Sequence, residues 1–221
     1  MPTIQTRVGE LRAASAGTPD VRGGAYAELM VSELMGRYFE LARFGRLFHT
    51  MAKTVTVAAT HNTPIAAATA TPLVAIHNPI GNTRAAVLVR AGVGTVSGTP
   101  AGGQSVLNVM QTTTAPTTPG GSIFNALSSA SASPQGSTMR SFNNVALTGM
   151  LPVIGNEVAV LGQATAITAA GSQGPGVVGE DLGGMFIVAP GFLAAVMCGT
   201  GAGSSWIVNG TLSWYEIDWP L

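Results

Sequence analysis

The sequence predicts a mainly β protein: an antiparallel β-sandwich of jelly-roll type, preceded by an N-terminal arm and one amphipathic helix. Three observations carry this reading. Beyond residue 53 the chain is dominated by Ala, Gly, Thr, Val and Ser, arranged in short apolar runs punctuated by Gly, Pro and Asn. Eight or more such runs occur with no second helical pattern among them, which favours packed antiparallel sheets over an α/β arrangement. Bulky apolar residues mixed with charge are concentrated instead in one early stretch, Gly24–Thr50, whose period is helical. No repeat of fixed period is present, which argues against a solenoid or propeller.

In chain order, residues 1–23 read as an extended arm. Pro2, Gly9, Gly17, Pro19 and the Gly23-Gly24 pair interrupt regular structure, and Arg7, Arg12 and Arg22 are spread rather than clustered. Such a segment is either a frayed terminus or an arm that orders against a partner. Residues 24–50 read as the helix. Tyr26, Leu29, Met30, Leu34, Tyr38, Leu41, Phe44 and Phe48 recur at steps of three and four, giving one apolar stripe. Glu33–Arg37 and Glu40–Arg43 stand at helical pair spacings, with acids leading and arginines closing, as the helix dipole favours. Gly36 weakens the middle by about 1 kcal/mol relative to Ala, and the aromatics of 37–48 also suit an extended chain.

Residues 51–221 form the expected β body. Strands are expected at Thr54–Ala59, Leu73–His77, Arg84–Val93, Ser105–Gln111, Phe142–Leu147, Val153–Ile154, Glu157–Ala169, Met185–Ala189 and Phe192–Cys198. A turn is expected at Ile80–Thr83, and another where Ala189-Pro190-Gly191 separates two apolar runs. Residues 112–138 and Gly171–Gly184 read as loops. Trp206–Trp219 closes the chain as a strand pair around an Asn209-Gly210 turn, with Leu212, Trp214, Glu216 and Asp218 alternating with Ser213, Tyr215, Ile217 and Trp219.

Charge excludes several functions. The chain has 221 residues but only ten Lys/Arg and ten Asp/Glu, and its formal net charge is zero. Seven of the ten basic groups lie in residues 1–53, and no acid occurs between Glu40 and Glu157. Nucleic-acid binding needs clustered cations to displace counterions, so no nucleic-acid partner is expected. A body this poor in charge is either solvated by hydroxyls and amides or covered by other subunits. The single cysteine, Cys198, has apolar neighbours and reads as a buried thiol. No secretory signal is expected from MPTIQTRVGELR, and Met185–Cys198 is too short and too broken by Pro190-Gly191 to span a bilayer, so no membrane is expected.

Most catalytic patterns fail on context. Gly174-Pro175-Gly176-Val177-Val178-Gly179 matches a dinucleotide fingerprint, but no helix follows and Pro175 lacks an amide. His49, His61 and His77 have no metal-ligand spacing, and no nucleophile elbow exists. Glu180-Asp181 is the one adjacent acid pair, read as a solvated loop tip in preference to a Ca²⁺ ligand. Glu157, Glu216 and Asp218 read as strand-edge charges. The aromatic group Trp206, Trp214, Tyr215 and Trp219 fits core and interface anchors better than a carbohydrate platform. The expectation is therefore no catalytic site, no metal and no cofactor.

Three stretches give the chain a resemblance to a known class. They are the charged entry GAYAELMVSELMGRYFELARFGRLF leading into the Ala/Thr/Gly/Val body, the late GGMFIVAPGFLAAVMC with its G-G-x-x-[IV]-x-x-P-G turn, and the terminal WYEIDWPL. In these the chain resembles virion structural proteins of tailed bacteriophages, in particular capsid decoration (cement) proteins. The resemblance implies a jelly-roll-like sandwich, assembly as homotrimers or homodimers, arms that grip the shell, and no catalysis. It implies a virion location after synthesis and assembly in the host cytoplasm, with the major capsid protein or another virion protein as partner. The interface is then expected to use Tyr26, Leu34, Tyr38, Leu41, Phe48, Trp214 and Trp219. A neck, tail or head-fibre component and a receptor- or glycan-binding β module are the alternatives.

Overall fold

The computed structural model describes residues 38, 41–42, 45–57, 69–98, 103–112, 120–127, 136–148, 150–164, 177–198 and 206–219. The chain divides into two units, Met1–Phe39 and Glu40–Leu221. The expected arm over 1–23, and Tyr26 and Leu34 of the expected helix, lie outside the described residues.

The second unit is mainly β. Its strands are β1 (Leu47–Thr56), β2 (Thr69–Ala70), β3 (Val74–His77), β4 (Arg84–Ser97), β5 (Gly103–Thr112), β6 (Ile123–Asn125), β7 (Arg140–Asn143), β8 (Leu147–Thr148), β9 (Met150–Ala164), β10 (Val177–Val188), β11 (Phe192–Cys198) and β12 (Ile207–Asp218). They form two five-stranded sheets, in the orders β10-β4-β12-β1-β6 and β7-β3-β11-β5-β9, plus the pair β2-β8. Every pairing is antiparallel.

The segment expected as a helix over 24–50 is already strand before its end. Leu41 and Ala42 are helical, and Gly45 at φ +65° closes the turn. The Gly45 N–H donates to the Ala42 carbonyl and the Arg46 N–H to the Leu41 carbonyl, the paired bonds of a glycine C-cap. Residues 47–50 are already strand β1, so the boundary of the β body at residue 51 is also corrected. Phe48 fitted the helical stripe because a four-residue step from Phe44 continues its count. Its β propensity and its place opposite Trp214 decide the matter.

One hydrophobic core joins the two sheets. Phe48, Val55, Leu88, Val93, Leu212 and Trp214 from the first meet Val74, Ile76, Leu107, Ala194 and Val196 from the second. The alternation read for the closing strand holds: Val208, Gly210, Leu212, Trp214 and Glu216 are all buried, and the residues between them are half-buried. No turn occurs at Asn209-Gly210. Gly210 sits mid-strand because a Cβ there would approach Leu73 Cβ to 3.2 Å, so the glycine lets the sheets come close. The other face of the second sheet is buried too. Ala75, Val106, Met110, Phe142, Leu193, Ala195 and Met197 cluster there with Leu147 of β8.

Other readings shift by a few residues. In β4 a bulge at Val89 interrupts the alternation: Leu88 joins the core and Arg90 is exposed, while Val87 and Val89 are buried outside the main core cluster. The Gly-rich 171–184 segment, expected as a loop, contains the first half of edge strand β10, which bulges between Asp181 and Phe186 at Gly183 (φ +59°) and Gly184 (φ +81°). Glu180 and Asp181 are accordingly strand residues, though exposed as expected. The Ala189–Phe192 turn forms as read, with Gly191 at φ +83° and the Phe192 N–H donating to the Ala189 carbonyl.

Candidate functional site

The site grows from a break in β1. On one side β1 pairs with β12 along its length, whereas β6 covers its other side only at Phe48–Thr50. At Ala52–Val55 the strand takes an extra residue relative to β12, so Lys53 and Thr54 drop out of the ladder opposite Asn209. Thr54 adopts φ +55°, and its N–H donates to Asn209 Oδ1 at 2.7 Å. A left-handed backbone is a strained state for a β-branched residue. Among the described residues only one other non-glycine is left-handed, Asn144 at φ +53°. Both line the same cleft.

This cleft has a volume of about 340 Å³. Met51–Val55 form one wall, and Gly120, Ser122, Phe124, Asn143 and Asn144 the other. Next to the lining residues Met51, Ser122 and Asn143 runs a polar bridge between the sheets. The Thr50 hydroxyl donates to the Ser122 carbonyl at 2.8 Å and meets the Ser141 hydroxyl at 2.6 Å, both side chains being fully buried. Asn143 Nδ2 donates to the Met51 carbonyl at 2.7 Å, capping the strand edge that β6 leaves open. Gly121 permits the approach, since a Cβ there would strike Ser141 Oγ and lie 2.7 Å from Asn143 Cγ. Phe124, half-buried, stacks against His49 with ring centroids 5.3 Å apart.

Among the described residues the cleft offers one ammonium group, hydroxyl and amide groups, and an aromatic ring, with no carboxylate. The arrangement is suited to holding a ligand. Lys53, the only lysine of the chain, is exposed and makes no ion pair among the described residues.

Of the residues expected at an interface, the described ones are buried or half-buried. Phe48 and Trp214 are core residues, 2% and 0% exposed, because both point inward from paired central strands. Tyr38 and Leu41 are half-buried at the turn before β1. Trp219 is half-buried just past β12, where its N–H donates to the Thr83 carbonyl. Trp206 also lies inside, with Nε1 donating to Thr95 Oγ1, so the terminal aromatics build no exposed platform.

His77 is fully buried, its Nε2 bonded to Thr112 Oγ1. Burial, and secondarily Arg140, lower its pKa to about 4. His49 is shifted down by burial, and His61 lies outside the described residues. Cys198 is buried as read. Desolvation pushes its thiol to about 11, partly offset by the Ser105 hydroxyl 3.3 Å away. Among the described residues no three His, Cys, Asp or Glu side chains gather as a metal site.

Glu216 departs most from its reading as an edge charge. It is 4% exposed, on a strand flanked by β1 and β4. Its carboxylate accepts from the Ser137 hydroxyl (2.7 Å), the Thr138 N–H (3.1 Å) and the Thr138 hydroxyl (3.2 Å), with Arg84 Nη1 at 3.5 Å. It ties the 137–139 segment to the sheet. The inward position in the alternation of β12 was the available signal. No protein-family model, curated protein or solved structure matches the chain.

Proposed function

We propose that this chain is a non-enzymatic virion structural protein, a capsid decoration protein whose jelly-roll body binds and stabilises a phage head shell. The strand order carries the proposal. Taking β1, β3, β4, β5, β9, β10, β11 and β12 as eight successive strands, the first sheet contains the order 1-8-3-6 and the second 2-7-4-5. That interleaving of first with last and second with seventh is the order expected of a jelly roll's double Greek key and supports the reading; viral capsid proteins use that architecture, as do lectin domains and cupins. β6 and β7, both within the β5–β9 connection, extend one edge of each sheet.

Surface chemistry supports the same reading. The body beyond residue 53 carries three basic and five acidic residues, too few for an ordinary solvated surface. Met185 and Ile187 are 73% and 46% exposed on edge strand β10, and Ile80 is 69% exposed. These positions suit contacts with sister subunits, as a homotrimer or homodimer, and with the major capsid protein.

Quantitative mass spectrometry of purified particles, with labelling in electron micrographs, tests the proposal. Copies in proportion to shell subunits, located on the head, are expected. A few copies at one vertex or on the tail would make the protein a neck, tail or fibre component instead. Absence from particles would end the virion reading. A chain beginning at Glu40 is expected to keep its β circular-dichroism spectrum while losing attachment to shells.

A further inference from the structure

We infer that the cleft between the β1 bulge and the Asn143-Asn144 corner binds an acidic saccharide, a sugar carrying a carboxylate. Its placement starts from strain. The two left-handed non-glycine residues of the described chain, Thr54 and Asn144, both line one cleft. Strained backbone that persists tends to mark binding surfaces.

The walls decide what kind of ligand fits. An extended peptide adding to the open edge of β1 is blocked. Asn143 already occupies the Met51 carbonyl, and the bulge takes Lys53 and Thr54 out of strand register. Nucleic acid is disfavoured because Lys53 is the single cation of the cleft. What remains is a concave, hydrogen-bonding surface with one positive charge and an apolar ring, Phe124, stacked on His49. A pyranose presents that same combination of hydroxyls and an apolar face, and about 340 Å³ is within the range of small-ligand pockets. Lys53 then selects for charge. In a chain with no second lysine, an exposed ammonium at the cleft mouth gives a carboxylate-bearing sugar an advantage over its neutral counterpart.

The test uses the full chain, labelled with ¹⁵N and titrated with methyl glucuronide and, separately, methyl glucoside. Amide shifts are expected at residues 51–55, 122–124 and 143–144, with the glucuronide binding about three-fold or more tighter at low salt. Lys53→Gln, at an exposed position, should bring the glucuronide down to the affinity of the glucoside without altering the rest of the spectrum. Absence of shifts at these amides with either sugar would overturn the inference. So would equal affinities for the two sugars, or a glucuronide affinity that Lys53→Gln leaves unchanged. None of these outcomes bears on whether the protein is found on particles, so the inference and the virion reading fail separately.

Discussion

Phe48 and Trp214 are register partners on β1 and β12, and their rings stack in the core with centroids 6.0 Å apart and planes inclined by 30°. The pair joins the first strand of the β body to its last. Trp214 Nε1 has no hydrogen-bond partner although it is buried, so the ring contributes through contact area and the N–H is a liability. Trp214→Ala is expected to cost about 3–5 kcal/mol in urea unfolding. Trp214→Phe should cost well under half of that, since the smaller ring also removes the unpaired donor. Equal losses for the two variants would show that the indole N–H is bonded in solution.

Glu216 presents the opposite case, a buried charge with its acceptor capacity filled. Glu216→Ala leaves the Thr138 N–H and the Ser137 hydroxyl without their acceptor. The expected loss is about 2–3 kcal/mol. Glu216→Gln retains one carbonyl oxygen and should lose less. Hydrogen exchange locates the effect: the Thr138 amide should lose protection in both variants, while amides in β11 keep theirs under native conditions.

His77 sets a pH dependence. Its pKa falls from an ordinary 6.5 to about 4 in the folded protein, chiefly through burial. Between these values the unfolded chain holds a proton that the folded one lacks, so stability rises with pH there. The contribution is fully present above pH 6.5 and is lost as pH falls through about 4. From pH 7 to pH 4 this one residue should remove about 3 kcal/mol. His49 acts in the same direction. Denaturant melts of His77→Gln should show a visibly shallower slope across this window, and an unchanged slope would assign the dependence to other groups.

The strands with clean apolar runs, β3, β5 and β11, and the Ala189-Pro190-Gly191 turn between β10 and β11 were legible in the sequence. Each is fixed by local chemistry: β-branched runs, proline's φ, or glycine's access to positive φ. What was not legible depends on partners distant in the chain. Gly210 reads as a turn residue until Leu73 is seen opposite it. The first half of β10 reads as a loop because its glycines pair with a strand some ninety positions earlier, Val177 with Gly94. The cleft was the least visible feature. Lys53 and the Asn143-Asn144 pair have no common sequence pattern and meet only because β1 bulges where β6 ends.

The place of β12 between β1 and β4 has a consequence for how the protein is made. A ribosome releases β1 and β4 long before β12, yet neither pairs with the other; each waits for β12. Thr54 reaches its partner Asn209 across 155 residues of chain. Loop closure of that length is slow, and the growing chain carries two long unpaired edges while it waits. The first sheet is thus completed only once β12 has been made, so a chain without β12 would expose the inner faces of β1 and β4, the state in which chaperones or sister chains would capture it.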